Sequence, residues 1–420
     1  VTEPLRPETA TGCDRLDVGG WARLTLGGAG MMFLGLFVSP PLVYALVEER
    51  GAARLMATEI MDGSYPALSS GFPASAWFER LAFDLTGVRA VGAVDERRAI
   101  VHGAAGSDAS WPRFIETPCE GGYQVARGPV AGLIADPVHR RFTMERARVL
   151  RLEHRQGYAH RGVLGLMRGR SPRVAARFAA RIAGDATVAH ATAFARAAEA
   201  ASGIDAPARA AALRVAMLAI ERVTGDLAAL AAAVERAGDE AYGFLLFRAR
   251  ERIAIALGDV FGHRLMMDIV IPGGLAVDIR AEALPALLAA LDAAPSVIRA
   301  FGWARVRRDL GAAAPIASRR ARAVRAMARA ALAALAAIPD GPIAQALPVA
   351  SGMAVGAASS ARGMVHHWLD LIDGEIRDGF GIDPSARLLP VLEAAVVGLD
   401  FDAAAVLIAC YGLSTGAIDG

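Results

Sequence analysis

Apolar and polar positions divide the chain into a mixed N-terminal part and a long helical remainder. Residues 1–20 are polar, punctuated by Pro and Gly, and read as a loose segment. From Trp21 to about Val47 the pattern is strand-like, with a Gly27-Gly28 turn signal. The apolar run Met31 to Val47 is broken by Pro40-Pro41, weakened by Gly35 and shorter than the roughly 20 residues of a membrane span, so it reads as two buried strand or helix pieces. Val43 to Met61 reads as a short helix, Pro66 to Ser70 as a turn, and Ala74 to Leu85 as a helix with Trp77, Phe78, Leu81 and Leu85 on one face. Gly87 to His102 alternates like a strand pair, and the Gly/Ser/Pro-bearing stretch Gly103 to Glu120 reads as a linker and domain boundary. Beyond it, Gly128 to Val149 has the turn residues of a β-hairpin. Ala/Leu/Arg helices are then predicted at about 173–202, 207–236, 238–260, 283–294 and 317–337, with a sharp turn at Pro272-Gly273-Gly274. His366-His367 also falls in a helix-like stretch, which points the two rings to different faces.

The fold class that follows is α+β: a small N-terminal α/β domain (21–118) and a mainly α-helical bundle entered through a β-hairpin (119–420). Mean hydropathy is +0.36, high for a free-standing enzyme. Ala-rich helices account for much of it, and a chain that packs against partners over wide faces has the same composition. Formal net charge is +2 and no aromatic residues interleave with the basic clusters, so nucleic-acid binding is not expected. Every basic residue is arginine, and clusters such as Ser318-Arg319-Arg320-Ala321-Arg322 read as a solvated helix face. Cys13, Cys119 and Cys410 are far apart with no CxxC pair, which excludes a zinc ribbon or an iron–sulfur cluster built by this chain alone. No secretory signal pattern and no GxGxxG after a strand are visible.

Six segments together resemble one family. Phe72-Pro73-Ala74-Ser75-Ala76-Trp77-Phe78-Glu79-Arg80, with Asp84-Leu85-Thr86-Gly87 and Asp95-Glu96-Arg97-Arg98, is similar to a stretch of the complex I 30-kilodalton subunit. Gly128-Pro129-Val130 through Asp136-Pro137-Val138-His139-Arg140-Arg141-Phe142 resembles the hairpin of the large subunits of membrane-bound group 4 nickel–iron hydrogenases and formate hydrogenlyase. Leu152 to Gly162, Arg181 to His190, Arg250-Glu251 with Gly262-His263-Arg264 and Pro272-Gly273-Gly274, and Ala361-Arg362-Gly363 with Asp383-Pro384-Ser385 continue the match in colinear order. The arrangement resembles the hydrogenase-4 component G type, a 30-kilodalton-like domain fused to a 49-kilodalton-like one.

That family holds its nickel–iron centre with four cysteine thiolates, two from an R-x-C-G-x-C segment and two from a C-terminal C-x-x-C. Alignment on the resemblance puts Ala183 and Ala186 at the first pair, and Ser414 and Ala417 at the second. Three scattered cysteines cannot supply four ligands in any alignment. Leu164 stands where the family carries a proton-relaying Glu, and a Leu cannot accept a proton. In complex I the homologous pocket binds a quinone through a hairpin His and a Tyr near the former cysteine segment. Here Ala131-Gly132-Leu133-Ile134-Ala135 offers no His and Ala183 to Ala186 no Tyr; Tyr158 and Tyr411 are the remaining quinone-type donors.

Arg161, Arg181, Asp185, His190, Asp226, Glu251, Arg264, Arg362 and His366 match family positions. Among them Arg161, Arg181, Asp185, His190 and Arg362 are the candidates for a remnant pocket; the competing reading is a buried ion-pair network that holds the helices in register. His139 reads as a packing or capping residue. The resemblance implies a subunit of a complex I-like or hydrogenase-like assembly, peripheral on the cytoplasmic side of the inner membrane. It further implies no cofactor in this chain, an iron–sulfur cluster on a small hydrogenase-like partner subunit, and antiporter-like membrane subunits as further partners. Quinone is the candidate ligand of the alternative reading, a modified quinone-reducing subunit.

Overall fold

The computed structural model describes residues 10–26, 30–100, 114–117, 120–130, 136–300 and 309–419. After the two-residue strand Ala10–Thr11 (β1), the strands Asp14–Arg15 (β2), Met31–Ser39 (β3), Leu42–Glu49 (β4) and Ala52–Glu59 (β5) form a sheet in the order β2-β5-β4-β3. β3, β4 and β5 are an antiparallel meander, with Pro40-Pro41 at the first turn. The apolar run Met31 to Val47 is therefore a buried hairpin. Val43 to Met61, predicted as a helix, is β4 and β5. Leu42 to Val47 are buried without interruption, and a strand covered on both faces shows no alternation to distinguish it from a buried helix.

Residues 10–20, expected to be loose, are tied into this layer: β2 pairs with β5, and the short helix Val18–Arg23 (α1) is capped by the Asp17 carboxylate. Trp21, fully buried, donates its Nε1–H to the Pro66 carbonyl at 2.9 Å. The Gly27-Gly28 turn and residues 101–113 and 118–119 of the predicted linker lie outside the described residues. Helix α2, Ser75–Thr86, matches its prediction; it buries Trp77, Phe78 and Leu81, packs on β3, and ends at Gly87 in the left-handed region (φ 76°). Its buried Glu79 accepts from the amides of Leu68 (2.6 Å) and Ser69 (3.0 Å) and from the Ser75 hydroxyl (2.9 Å). In Gly87 to His102 the described strand is β7, Arg89–Val91, and it pairs in parallel with β6, Ser64–Pro66, not with a second strand of its own segment.

Tyr123–Arg127 (β8), His139–Glu145 (β9) and Arg148–Arg155 (β10) make an antiparallel sheet, so the predicted hairpin exists but turns between β9 and β10. Helices Val163–Met167 (α3), Pro172–Ala179 (α4), Thr187–Ala201 (α5), Ala208–Arg236 (α6), Glu240–Phe261 (α7), Leu284–Ala300 (α8) and Ala314–Ala336 (α9) follow. The predicted helix 173–202 is thus divided at residues 180–186. Pro272-Gly273-Gly274 turns a small hairpin, Val270–Ile271 (β11) with Gly274–Leu275 (β12), and a Cβ on Gly273 (φ 86°) would stand 2.4 Å from the Gln345 carbonyl oxygen.

The C-terminal region is not all helix. Gly352–Ser360 (β13), Gly363–Ile372 (β14) and Glu375–Ile382 (β15) form a meander that β1 extends, in the order β1-β13-β14-β15. His366-His367, predicted in a helix-like stretch, lies in β14, which is paired on both sides and buried from Val365 to Leu371. Gly356 lets α5 lie directly on β13: a Cβ there would be 2.2 Å from the Ala193 carbonyl oxygen. Helices Pro384–Ala395 (α10), Phe401–Tyr411 (α11) and Thr415–Asp419 (α12) complete the described chain.

One apolar core lies among the helices. A second joins the N-terminal sheet to the C-terminal meander through ring contacts, Phe37 tilted against Trp368 (4.7 Å) and stacked on Phe380 (5.2 Å), with Tyr44 stacked on Phe37 within the sheet (5.1 Å). Such pairs each contribute about 0.5–1.5 kcal/mol beyond the area they bury.

Candidate functional site

Four segments distant in sequence meet at one cleft. Arg161, on the turn before α3, donates from its guanidinium to the carbonyls of Arg181 (2.8 Å) and Ile182 (2.8 Å) and, across the cleft, to that of Gly416 (3.4 Å). Asp136, from the connection into β9, accepts from the Gly416 amide at 3.0 Å and, through its carbonyl, from the Thr415 hydroxyl at 3.3 Å. The Asp419 carboxylate accepts from the amides of Gly157 and Ala159, both at 2.8 Å, and the His160 Nδ1 lies 2.6 Å from the Asp419 carbonyl oxygen. The loop between α4 and α5 and the turn into α12 are thereby clamped to each other. These two loops carry Ala183, Ala186, Ser414 and Ala417, all buried.

The donor set does not fit a thiolate-held bimetallic centre. Three of the four side chains are methyl groups, and the fourth, the Ser414 hydroxyl, accepts from the Ala417 amide at 3.3 Å. Cys410 is buried in the helical core with its Sγ directed to the Ala313 carbonyl, and its thiol is pushed up to about 11 by burial, whereas Cys13 packs against the N-terminal core. Cys119 lies outside the described residues. Among the described residues no three His, Cys, Asp or Glu side chains gather as a metal site would need.

Of the five candidate pocket residues, His190 and Arg362 are brought into one buried network. Its centre is Asp383, which in the sequence stands out only as part of the Asp383-Pro384-Ser385 motif. Asp383 is fully buried and accepts from Arg362 Nε (3.3 Å) and Nη2 (3.1 Å) and from the Ser385 amide (2.8 Å), and its Oδ2 stands 3.2 Å from His190 Nε2. His190 Nδ1 in turn faces His367 Nε2 at 3.0 Å. Although burial opposes its charge, the Arg362 guanidinium, with His190 in support, holds the Asp383 carboxyl far below the usual carboxylate range. Burial, reinforced by neighbouring His190, pushes His367 well below the usual histidine range, so it is neutral. His366, on the opposite face of β14, is pushed down to about 4 by burial and is not joined to this network by any hydrogen bond among the described residues. Asp185 extends the network outward: it pairs with Arg362 while its own side chain is 48% exposed.

Arg181 is placed elsewhere, in a half-exposed bidentate pair with Asp268 (2.5 and 2.6 Å). Asp226 pairs with Arg320 at 2.5 Å, and Arg320 also donates to the carbonyls of Cys410 (2.8 Å) and Tyr411 (2.6 Å). This corrects the reading of the Arg319–Arg322 cluster as a solvated face: Arg319 and Arg322 are not buried, but Arg320 turns inward. Burial pushes the Asp226 carboxyl up to about 6 against the pull of Arg320. Glu251 and Arg264 pair at 2.7 Å, both exposed. His139 packs edge-on against Phe114 (4.8 Å).

Two cavities border the network. One of about 440 Å³ runs between α2, β3 and the turn into α3; Leu36, Leu81, Leu164, Ile182 and Ala417 are among its mostly apolar walls. Neither Tyr158 nor Tyr411 lines it. The other, of about 230 Å³, is bounded by Asp185, Glu221, Arg250, Arg264, Arg320 and Arg362. Glu221, missed from sequence, accepts from the amides of Val188 (2.6 Å) and Ala189 (2.9 Å) at the start of α5, and burial pushes its carboxyl up to about 8.

Residues 161–227 match the family model described as nickel-dependent hydrogenase. The chain is 26% identical over 287 residues to formate hydrogenlyase subunit 5 of Escherichia coli (62% of this chain, 50% of that one) and 24% identical over 289 residues to hydrogenase-4 component G of the same organism (63% and 51%). It thus spans about half the length of these relatives. It is 35% identical over 95 residues to an NADH-quinone oxidoreductase subunit of Mycolicibacterium gilvum (23% of this chain, 21% of that one). In fold it resembles the nickel–iron–selenium hydrogenase of D. vulgaris Hildenborough (TM-score 0.60, 15% identity, 71% of this chain and 100% of that one). It also resembles a chain of the archaeal respiratory membrane complex, the membrane-bound sulfane sulfur reductase (TM-score 0.62, 18% identity, 71% and 99%).

Proposed function

We propose that this chain, a homologue of the large subunits of membrane-bound nickel–iron hydrogenases and of a subunit of NADH-quinone oxidoreductase, serves a membrane-associated oxidoreductase complex without a nickel–iron centre of its own. One observation carries the reading. The loops that would bear the thiolates are bridged by Arg161, yet at the four corresponding positions they carry three buried methyl groups and one buried hydroxyl. Its role is then electron-transfer coupling or a structural one in the peripheral arm, on the cytoplasmic side of the inner membrane. A small iron–sulfur subunit would sit beside it and antiporter-like subunits below.

Unpartnered apolar surface supports an assembly. Phe244 (64% exposed) and Ile255 (60% exposed) stand with Phe247 along one stripe of α7. One described helix, Ala281–Arg299, is long and apolar enough to cross a membrane, with 22% of its apolar window buried in the chain. Nickel and iron analysis of the purified complex is the test: nickel is expected well below one per chain, and stoichiometric nickel in this subunit would refute the reading.

A quinone-reducing subunit with a modified pocket is the second reading, favoured by the apolar cavity of about 440 Å³ beside Leu164 and Ala417. Filling that cavity with Leu164→Trp should abolish quinone reduction by the intact complex. Unchanged turnover would dismiss this reading and leave the first intact.

A further inference from the structure

The face of the three-stranded sheet that packs toward α10 and the helical core carries arginines with no carboxylate paired to them among the described residues. In the register of β8, β9 and β10, Arg127 stands directly opposite Arg140, and Arg140 directly opposite His154. Residues opposite one another across strands share a face, and like charges so placed repel. These three side chains line a cavity of about 640 Å³, and Arg236, near the end of α6, adds a third guanidinium. Among the described residues none of Arg127, Arg140 and Arg236 has an ion-pair partner. Arg127 instead lies over the Phe401 ring at 5.1 Å.

His154 does not compensate them. Arg140 Nε donates to His154 Nε2 at 3.2 Å, which requires that nitrogen to be bare. The ring proton is then on Nδ1, 3.0 Å from Glu393 Oε1. Burial, aided by Arg140, pushes His154 below the usual histidine range, consistent with a neutral ring, and burial with the like charge of Arg236 lowers Arg140 as well. Glu393 is thus engaged through the imidazole. Asp402, exposed at the rim, is the one acidic residue among the lining groups. The rest of the wall includes Phe142, Leu389, Leu392 and Phe401.

We propose that this cavity is a binding site for a phosphate-type oxyanion, seated between Arg127, Arg140 and Arg236. Guanidinium groups offer paired N–H donors that match phosphate oxygens, and a ligand with two negative charges would relieve the repulsion between Arg127 and Arg140. The apolar wall admits either a free phosphate or the phosphate of an anionic phospholipid.

The test uses the full chain, wild type and the variants Arg140→Gln and Arg127→Gln, with two probes. One is inorganic phosphate titrated by calorimetry at low ionic strength. The other is co-sedimentation with vesicles of phosphatidylglycerol in phosphatidylcholine against phosphatidylcholine alone. Saturable phosphate binding that weakens at least tenfold in both variants supports the site with a soluble ligand. Binding to the anionic vesicles alone, lost in both variants, supports it with a lipid ligand. Arg127 is exposed, so Arg127→Gln reports even where Arg140→Gln fails to fold. No binding of either probe, the outcome if an acidic partner side chain fills the cavity, overturns the proposal. So does binding that both variants retain.

Discussion

Replacing Arg362 by Met isolates the energetics of the buried network. The side chain is nearly inaccessible and holds Asp383, itself fully buried, through two hydrogen bonds of 3.3 and 3.1 Å. Removing one partner of such a pair leaves an uncompensated buried charge and costs about 3–5 kcal/mol. Asp383 keeps His190 and the Ser385 amide, which places the expected loss near 3 kcal/mol, or roughly a hundredfold in the folded-to-unfolded ratio. Loss of the half-exposed Asp185 contact adds under about 1 kcal/mol. The pH dependence is specific. In the wild type Asp383 is depressed, so its stabilisation is present above the ordinary carboxylate range and is lost as pH falls through the folded value. In the variant that depression disappears, and the carboxyl protonates at higher pH. The stability gap between the two proteins should therefore be full above about pH 4, the ordinary carboxylate value, and narrow as pH falls below it. Urea titrations followed by tryptophan fluorescence, at several pH values, read both quantities. Adding Asp383→Asn to Arg362→Met should recover more than about 1 kcal/mol relative to the sum of the single changes. Strict additivity together with a gap that is flat in pH would refute the account.

Two further outcomes follow from the same packing. Glu221, raised from 4.5 to about 8, supports the fold at low pH and loses that contribution as pH rises from 4.5 through about 8, so Glu221→Gln should gain on the wild type across that interval in thermal melts. Gly356→Ala places a methyl 2.2 Å from the Ala193 carbonyl oxygen and should cost about 1–3 kcal/mol by forcing α5 off β13, read as a lowered melting temperature.

What was legible in the sequence follows the physics of exposure. Helices α6 to α9 present a polar face, so their periodicity survives, and α2 could be read to within one residue at each end. β4 and β14 could not, because strands covered on both sides carry an unbroken apolar run or, at His366-His367, polar residues buried by tertiary partners. The division of α4 from α5 was hidden because Ala179 to Ala186 is rich in helix-favouring alanine; the bend there depends on Arg161, some twenty residues earlier. At the site, Arg362 and His190 could be named as candidates but not paired. Their meeting point, Asp383, has a local signal of another kind, an acidic N-cap followed by Pro at the first helical position of α10. The cation row escaped notice altogether, because it exists only once strand register is fixed.

The Arg161 bridge changes the material character of the cleft. A metal bound by four thiolates rivets its loops with bonds that neither salt nor moderate denaturant loosens. A guanidinium gripping peptide oxygens is a latch of individually weak, water-competing contacts. The 181–182 and 416 backbones should therefore separate well before the helical core melts, giving this chain a hinge that opens at modest energetic cost.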